Sequence, residues 1–530
     1  MNQNIPPSST RIHIPSGAEH VTRWVVVALA LGLSLLVAFM IGEGKHTLLF
    51  LLGAVVFLVV GVMVLGRRAW VLIPLGWSLP AATGVLPISL SIRDSTIIVA
   101  TCALITYRII SGISMRQKMH LLDRVLLVNL GYLMVTLVIH PVGFYSFGSE
   151  MIGARSVFNI GMAVVAYWIL VRLPDSPRIA SRVPLFVLAG ALGITALHLA
   201  SYVFPSLPRA LPYLYAAVDI TTFYQSPTLF GEVPRYQRLG DGGAAIVLVL
   251  CAYKSPRTLL NLFRPYPYLL LLGFVGILAS GFRSILLWST VCVCLSAWLH
   301  REWREMISVA IVGACLLLMV VLGHGRLYEI PLPAQRAMSF LPGKWSAAVT
   351  EEAESSIEVR FQWWRDIIKE DIIKNWWVGD GFGTRLEDVA SVEAGKSGLV
   401  GMTTLGSFHS GPLTTIRYCG IFGLILFYVL TITCAVVAVR CVRQAQGTIL
   451  LPLAVFLAIQ FVWIPFHFTL VFGAYNVDMP QQIFLAGLLR LLIRMLDTYK
   501  PSAGRTPTGT AIPVRRMPVA TAARQALRPK

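Results

Sequence analysis

Apolar runs long enough to cross a lipid bilayer recur along nearly the whole chain. Of its 530 residues, 56% are hydrophobic and only 13% are charged. A run of about 17–25 apolar residues forms a helix that spans a hydrocarbon core of about 30 Å. An irregular segment would leave backbone polar groups unsatisfied in lipid. The sequence therefore predicts an all-α, polytopic membrane protein with about 12–14 transmembrane helices.

The predicted spans follow one another from the N-terminal region almost to the C-terminus. They lie near residues 22–41, 46–65, 69–89, 95–111, 125–140, 156–173, 183–204, 241–253, 266–280, 284–299, 306–322, 412–439, 449–471 and 478–495. Two of these runs are short, so the predicted number of spans varies by about two.

Basic residues fall in alternate loops, which predicts an orientation. With the N-terminus in the cytoplasm, every inside loop is basic, as the positive-inside rule requires. The inside loops then contain 67–68, 116–124, 172–182, 254–264, 301–304 and 440–443. The two longest polar segments, 205–240 and 323–411, both lie outside.

This topology divides the chain into five regions and accounts for much of the net charge of +19. The regions are a flexible cytoplasmic arm (1–21), a transmembrane domain (22–322) with an outer loop (205–240), a large outer loop (323–411), the C-terminal transmembrane helices (412–495) and a disordered basic cytoplasmic tail (496–530). A basic tail after a membrane domain favours contact with anionic lipid over nucleic acid. The cysteines show no zinc-like spacing and there is no phosphate-binding loop, so neither a structural metal nor an ATP-driven pump is expected.

Three arginines lie where outer loops meet predicted spans. Arg235 and Arg238 immediately precede one span, and Arg283 occupies the short break Ser280-Gly-Phe-Arg-Ser between two others. A guanidinium group donates paired hydrogen bonds to phosphate. Positive charge is disfavoured on the outer side. Arg283 is therefore either a helix-end residue that reaches water or a functional residue, and both interpretations stay open.

The large outer loop contains an amphipathic helix pattern followed by a glycine turn. Its apolar stripe consists of Ile357, Phe361, Trp364, Ile368 and Ile372. This spacing predicts a helix that lies along the membrane surface. Arg360 flanks the stripe, Arg365 is on the other face, and the turn VGDGFGT follows.

His409 and Ser410 immediately precede the next span, and Arg417 lies two turns further along. An unperturbed histidine titrates at about pH 6.5 and suits acid–base chemistry. On these residues alone, the favoured interpretation is an interfacial histidine that caps the span starting near Pro412. Either His409 is a base, or it binds an anion while a carboxylate acts as the base. The candidate carboxylates are Asp219, Asp241 and Asp380.

These features, taken in order, resemble the bacterial O-antigen ligase and O-antigen polymerase superfamily. The resemblance covers about 235–440 and consists of Arg238-Leu-Gly, the Ser280 to Arg283 break, Arg360 followed by WWVGDGFG, and HSGPLTTIRYCGIFGLILF. Family members usually have asparagine after the histidine, whereas this chain has Ser410.

The resemblance implies a fold like that of multi-span glycosyltransferases and a metal-independent, cofactor-free glycosyl transfer. The donor would be an oligosaccharide on undecaprenyl pyrophosphate, and the acceptor a sugar hydroxyl on a glycan or glycolipid. The capsule and exopolysaccharide members of the family favour a polymerase. A ligase that transfers the chain to lipid A core is the alternative, and a polysaccharide flippase or secondary transporter a further one. The chain shows no clear internal repeat of the kind common in transporters.

The implied location is the bacterial inner membrane, with both termini cytoplasmic and the active site facing the periplasm. Membrane lipids, chain-length regulators and flippases are expected partners, and nucleic acid is not. The expected catalytic residues are His409, Arg360 and Arg283. The expected substrate-binding residues are Arg235, Arg238, Arg365, Arg417 and Ser410.

Overall fold

The computed structural model describes residues 56, 62, 65–79, 82–83, 90–111, 118–143, 151–172, 176–204, 236–369, 371–385, 408 and 410–499. The predicted arm at 1–21, the span at 22–41, nearly all of the span at 46–65 and residues 500–530 of the tail lie outside these residues. So do Arg235, Asp219 and His409.

The described residues are predominantly helical, which confirms the all-α polytopic membrane fold. The helices are α1 (Leu72–Trp77), α2 (Ile92–Ser111), α3 (Leu121–Ile139), α4 (Ala154–Arg172), α5 (Pro177–Ala180), α6 (Val183–Val203), α7 (Gln237–Tyr253), α8 (Pro256–Leu259), α9 (Tyr266–Ser280), α10 (Arg283–Leu299), α11 (Trp303–Gly323), α12 (Leu332–Met338), α13 (Ala347–Lys369), α14 (Gly411–Ala445), α15 (Leu451–Phe466) and α16 (Tyr475–Tyr499). A 3₁₀ turn, Gly66–Val71, precedes α1, and a π-helical turn, His467–Val471, extends α15.

Each predicted span from 95–111 onward coincides with one of these helices. Six helices among the described residues are long and apolar enough to cross a membrane, and three shorter apolar helices accompany them. The last helix continues to Tyr499, beyond the predicted boundary at 495.

The prediction of one helix over 69–89 is wrong. Helix α1 ends at Trp77, and a two-residue strand, β1 (Ala82–Thr83), follows it and pairs antiparallel with β2 (Leu90–Ser91). Pro80 stands between α1 and β1 in the sequence. A proline lacks the backbone N–H and disfavours helical geometry in the residue before it, so the apolar run does not continue as one helix.

A continuous apolar core runs through α4, α14, α15 and α16. Helix α16 is buried along most of its length and packs against α4. At one end of these helices, Arg490 donates to both carboxylate oxygens of Asp123, at 3.0 and 2.9 Å, and Tyr167 donates to the same carboxylate. Removing one partner of such a buried ion pair costs about 3–5 kcal/mol.

The polar segment after α11 folds against the opposite end of the bundle, here called the outer end after the orientation predicted from loop charge. Helices α12 and α13 pack against each other there. The two-residue strand β3 (Met151–Ile152), just before α4, pairs antiparallel with β4 (Thr384–Arg385), just after the glycine turn. This ladder ties the turn to the start of α4.

Candidate active site

The glycine turn docks into a kink of α14 at Gly420. This residue has φ 65° and ψ −176°, a conformation that breaks the helix and that is essentially confined to glycine. The turn supplies replacement hydrogen bonds: the Ile421 N–H donates to the Trp376 carbonyl at 2.8 Å, and the Asp380 N–H donates to the Arg417 carbonyl at 2.8 Å. A Cβ at Gly420 would clash with the Trp377 carbonyl oxygen. The kink and the turn therefore form one unit.

An ion pair between Arg417 of α14 and Asp380 of the glycine turn also connects these two elements. The Arg417 Nη1 atom lies 3.2 Å from Asp380 Oδ2. The same carboxylate accepts the backbone N–H groups of Lys374, at 3.1 Å, and Asn375, at 2.9 Å. Asp380, held by a cation and two amides, therefore anchors the turn to α14. Arg417 reaches the outer end but shares its charge with this anchor.

Helix α13 joins the outer end of α15 to the segment before α14. The Arg360 Nη1 atom donates to the Val471 carbonyl at 3.2 Å, in the π-helical turn. One turn along, the indole N–H of Trp364 donates to the Phe408 carbonyl at 3.1 Å. Through these two contacts, α13 connects the π-helical turn to Phe408, which lies two residues before Ser410.

Ser410 is 7% exposed and stands at the N-terminus of α14, where its carbonyl accepts the Thr414 N–H at 2.9 Å. Its side chain does not cap the helix. Next to Ser410 in sequence, Gly411 packs closely against Gly473. A Cβ added to Gly473 would lie only 2.8 Å from the Gly411 Cα. His409, between the two buried residues Phe408 and Ser410 in sequence, lies outside the described residues.

Arg365 does not join Arg360. Five residues of α-helix rotate a side chain by about 140°, and Arg365 is exposed on α13. Two residues of the predicted apolar stripe, Phe361 and Ile368, are more than half exposed, whereas Ile367 beside them is buried. Helix α13 therefore packs one edge on the protein and leaves an apolar edge outward, in keeping with a helix beside lipid.

A second group of residues surrounds the turn between α9 and α10, where Arg283 is the first residue of α10. Gly281 takes a left-handed conformation, φ 77°, and ends α9. The Tyr236 N–H donates to the Ser280 carbonyl at 3.0 Å, which brings the start of α7 onto this turn. Arg238, in the first turn of α7, forms an ion pair with Asp241 at 3.2 Å. The structure thus places Arg238 and Arg283 at neighbouring helix starts.

Sequence reasoning missed Arg336 at this turn. It belongs to α12, is 7% exposed, and donates from Nη1 to the Gly281 carbonyl. Its guanidinium carbon lies 5.9 Å from the centre of the Phe282 ring. Like Arg283, Arg336 is an arginine on the predicted outer side, which could have identified it. The prolines around it, however, leave no helical pattern from which its position could be predicted.

The two groups are joined by aromatic contacts between α10 and α15. The rings of Trp288 and Trp463 lie 5.2 Å apart, and Trp463 lies 6.1 Å from His467. His467 opens the π-helical turn whose last carbonyl, that of Val471, accepts from Arg360. His467 was likewise not singled out by the sequence, because it falls inside an apolar run.

The fold and this arrangement define a class: a polytopic, all-α membrane protein whose outer end gathers arginines around a broken helix and a glycine turn. Comparison with known proteins adds a family match over part of the chain. Residues 268–428 match the family model described as O-antigen ligase. This match supports a membrane protein of the O-antigen ligase and polymerase superfamily, in agreement with the resemblance drawn from the sequence, and it supports a role in polysaccharide-related glycosyl transfer. A search of curated proteins found no match.

Proposed function

We propose that the chain transfers a sugar chain from undecaprenyl pyrophosphate to a sugar hydroxyl at its outer end, and that it acts as a polysaccharide polymerase. The observation that carries the proposal is the placement of four arginines at that end: Arg238, Arg283 and Arg336 around the turn between α9 and α10, and Arg360 at the π-helical turn. Three of the four lie within the segment that matches the O-antigen ligase family.

The reaction requires stabilisation of a leaving pyrophosphate. The acceptor oxygen bonds to the anomeric carbon while the bond from that carbon to the pyrophosphate oxygen breaks, and the electron pair leaves with the pyrophosphate. Fixed positive groups in a partly dry site stabilise this developing charge strongly, and one such donor is worth about 10²–10³ in rate. In this proposal Arg283 and Arg360 contact the pyrophosphate, and Arg238 and Arg417 contribute longer-range positive charge.

The acceptor hydroxyl must lose its proton, and His409 is the proposed base. Two of the three alternative carboxylates already have partners, which supports this choice: Asp380 is held by Arg417 and two backbone amides, and Asp241 pairs with Arg238, while Asp219 lies outside the described residues. Ser410, at the buried start of α14, takes the place of the usual asparagine and is proposed to hydrogen-bond the substrate.

A ligase is the second candidate, because the matching family is described as O-antigen ligase. The two reactions share the donor and the leaving group and differ only in the acceptor. The arginine site described above serves both equally, so the products must distinguish them.

Full-length protein in proteoliposomes with a radiolabelled lipid-linked oligosaccharide tests the proposal. Longer lipid-linked chains, formed with no other acceptor present, are the predicted products. Transfer that occurs only after lipid A core is added would identify a ligase. Movement of the labelled lipid across the bilayer without any new glycosidic bond would refute glycosyl transfer and favour a flippase.

A further inference from the structure

A basic cavity lies at the end of the bundle opposite the candidate active site. It has a volume of about 380 Å³ and is lined by Lys254, Arg257, Thr258, Asn261, Arg264 and Tyr266. These residues form the connection from α7 through α8 to the start of α9. The cavity is as large as many small-molecule sites, which range from about 300 to 1,000 Å³.

Three of the residues that line this cavity carry cationic side chains. Among the described residues, none of Lys254, Arg257 and Arg264 forms an ion pair. The nearby Glu302 carboxylate accepts the backbone N–H of Arg257 at 3.0 Å, so it supports the α8 backbone. The Lys254 ammonium lies 4.4 Å from the centre of the Tyr266 ring. A compact anion with several oxygen acceptors suits this arrangement, and phosphate is such an anion.

Exposed apolar side chains flank the cavity on the same connection. Phe263 is 99% exposed and Leu262 is 68% exposed. Tyr268 is 61% exposed and donates its hydroxyl to the Leu262 carbonyl at 3.1 Å. Aromatic rings of this kind occur at the level of lipid headgroups. A free phosphate ion would gain nothing from this apolar rim, whereas a lipid would place acyl chain against it.

We infer that this cavity binds the phosphate headgroup of an anionic phospholipid. The inference rests on the proposed orientation, in which residues 254–264 face the cytoplasm and the bound lipid belongs to the inner leaflet. Basic pockets between transmembrane helices on that side are suited to anionic headgroups. The bound lipid would fix the short connection between α7, whose start carries Arg238, and α9, whose end carries the turn before Arg283.

Native mass spectrometry of the full-length protein in neutral detergent tests the inference. Dioctanoyl phosphatidylglycerol, dioctanoyl phosphatidylcholine and inorganic phosphate are titrated separately. The wild type is expected to bind the phosphatidylglycerol at least about tenfold more tightly than either other probe. In the variant Arg257→Gln/Arg264→Gln that affinity should fall about 30-fold, which corresponds to about 2 kcal/mol.

The matched control is Arg124→Gln/Arg178→Gln, which removes two exposed arginines from other predicted inside loops and leaves the cavity intact. It is expected to bind like the wild type. Equal affinity of wild type and Arg257→Gln/Arg264→Gln, or equal loss in both double variants, would overturn the site. Inorganic phosphate that binds as tightly as the lipid would overturn the lipid assignment. Because binding is measured without turnover, these outcomes are independent of the proposed transfer reaction.

Discussion

Arg336 connects the large outer loop to the turn that carries Arg283. Its guanidinium reaches the Gly281 carbonyl and lies beside the Phe282 ring. Gly281 and Phe282 set the direction in which α10 begins, and Arg283 is the first residue of that helix. We therefore propose that Arg336 acts through Arg283, as a positioning residue for the proposed reaction.

Replacing Arg336 with glutamine should lower kcat about tenfold while the KM for the lipid-linked donor changes much less. The reason is that a misplaced Arg283 loses stabilisation of the leaving group rather than ground-state binding. Arg336→Lys, which keeps a cationic donor, should recover part of the rate. The exposed Arg326 of the same polar segment provides the control, Arg326→Gln. Equal kcat in Arg336→Gln and Arg326→Gln would show that Arg336 has no positioning role.

Arg360 and Arg365 provide a matched pair on one helix. Arg360 reaches the Val471 carbonyl, whereas Arg365 is exposed. We expect Arg360→Ala to reduce transfer by about 10²–10³-fold and Arg365→Ala to keep at least about half of it, since exposed substitutions away from a site change little. Initial rates in proteoliposomes measure both. A loss with Arg365→Ala as large as that with Arg360→Ala would contradict the orientation of α13.

These residue contacts mark the limit of what sequence reasoning can reach. The arginines on the outer side were identifiable because they oppose the positive-inside preference. Their partners were not: the acceptor for Arg360 lies 111 positions away in sequence, and the one for Arg336 lies 55 away. Such contacts arise from tertiary packing, which a single sequence does not encode in any local pattern.

At the level of elements, the kink in α14 and the glycine turn depend on each other. Gly420 adopts a glycine-only conformation and lies against the Trp377 carbonyl, while Gly379 lies against the backbone of Cys419 and Gly420. A change in the kink is therefore expected to undock the glycine turn, and a change in the turn to disturb the kink. Both changes would also separate Arg417 from Asp380.

Gly420→Ala should therefore destabilise the protein by more than about 2 kcal/mol, since strain at such a position costs about 1–3 kcal/mol before the clash is counted. Gly447→Ala is the control: Gly447 also has a positive φ, 73°, but a Cβ there would meet nothing within 4 Å. It should cost about 1–2 kcal/mol. Thermal unfolding in detergent compares the two. Similar midpoints for both variants would argue against the docking of the turn.

Elements were predictable to the extent that they depend on local sequence. Apolar run length located the helices from 95–111 to 478–495 because a membrane-spanning helix must satisfy its own backbone. The prediction of one helix over 69–89 failed because Pro80 interrupts this apolar run. For α13 the apolar spacing located the helix, but it did not show that Ile367 would be its buried contact with the rest of the protein, since tertiary packing determines that edge. The kink at Gly420 was not predicted, although Gly420 lies in the last motif that carries the family resemblance.

The whole molecule presents large apolar side chains outward along its helices. Val138 is 78% exposed, Ile109 is 77% exposed and Met319 is 64% exposed. A water-soluble protein rarely exposes so much contiguous apolar surface, whereas lipid covers it in a membrane. The basic cavity and the arginine site lie at opposite ends of this apolar belt, which fits the orientation predicted from loop charge.

The central claim is that the outer arginine site performs glycosyl transfer with His409 as its base. Its most direct test is chain growth from lipid-linked oligosaccharide by wild type, Arg283→Ala and His409→Ala, reconstituted at equal amounts. We expect normal membrane insertion of all three, chain growth by the wild type, and none by either variant. Normal chain growth by His409→Ala would refute the catalytic role of the histidine, and normal growth by both variants would contradict the site itself.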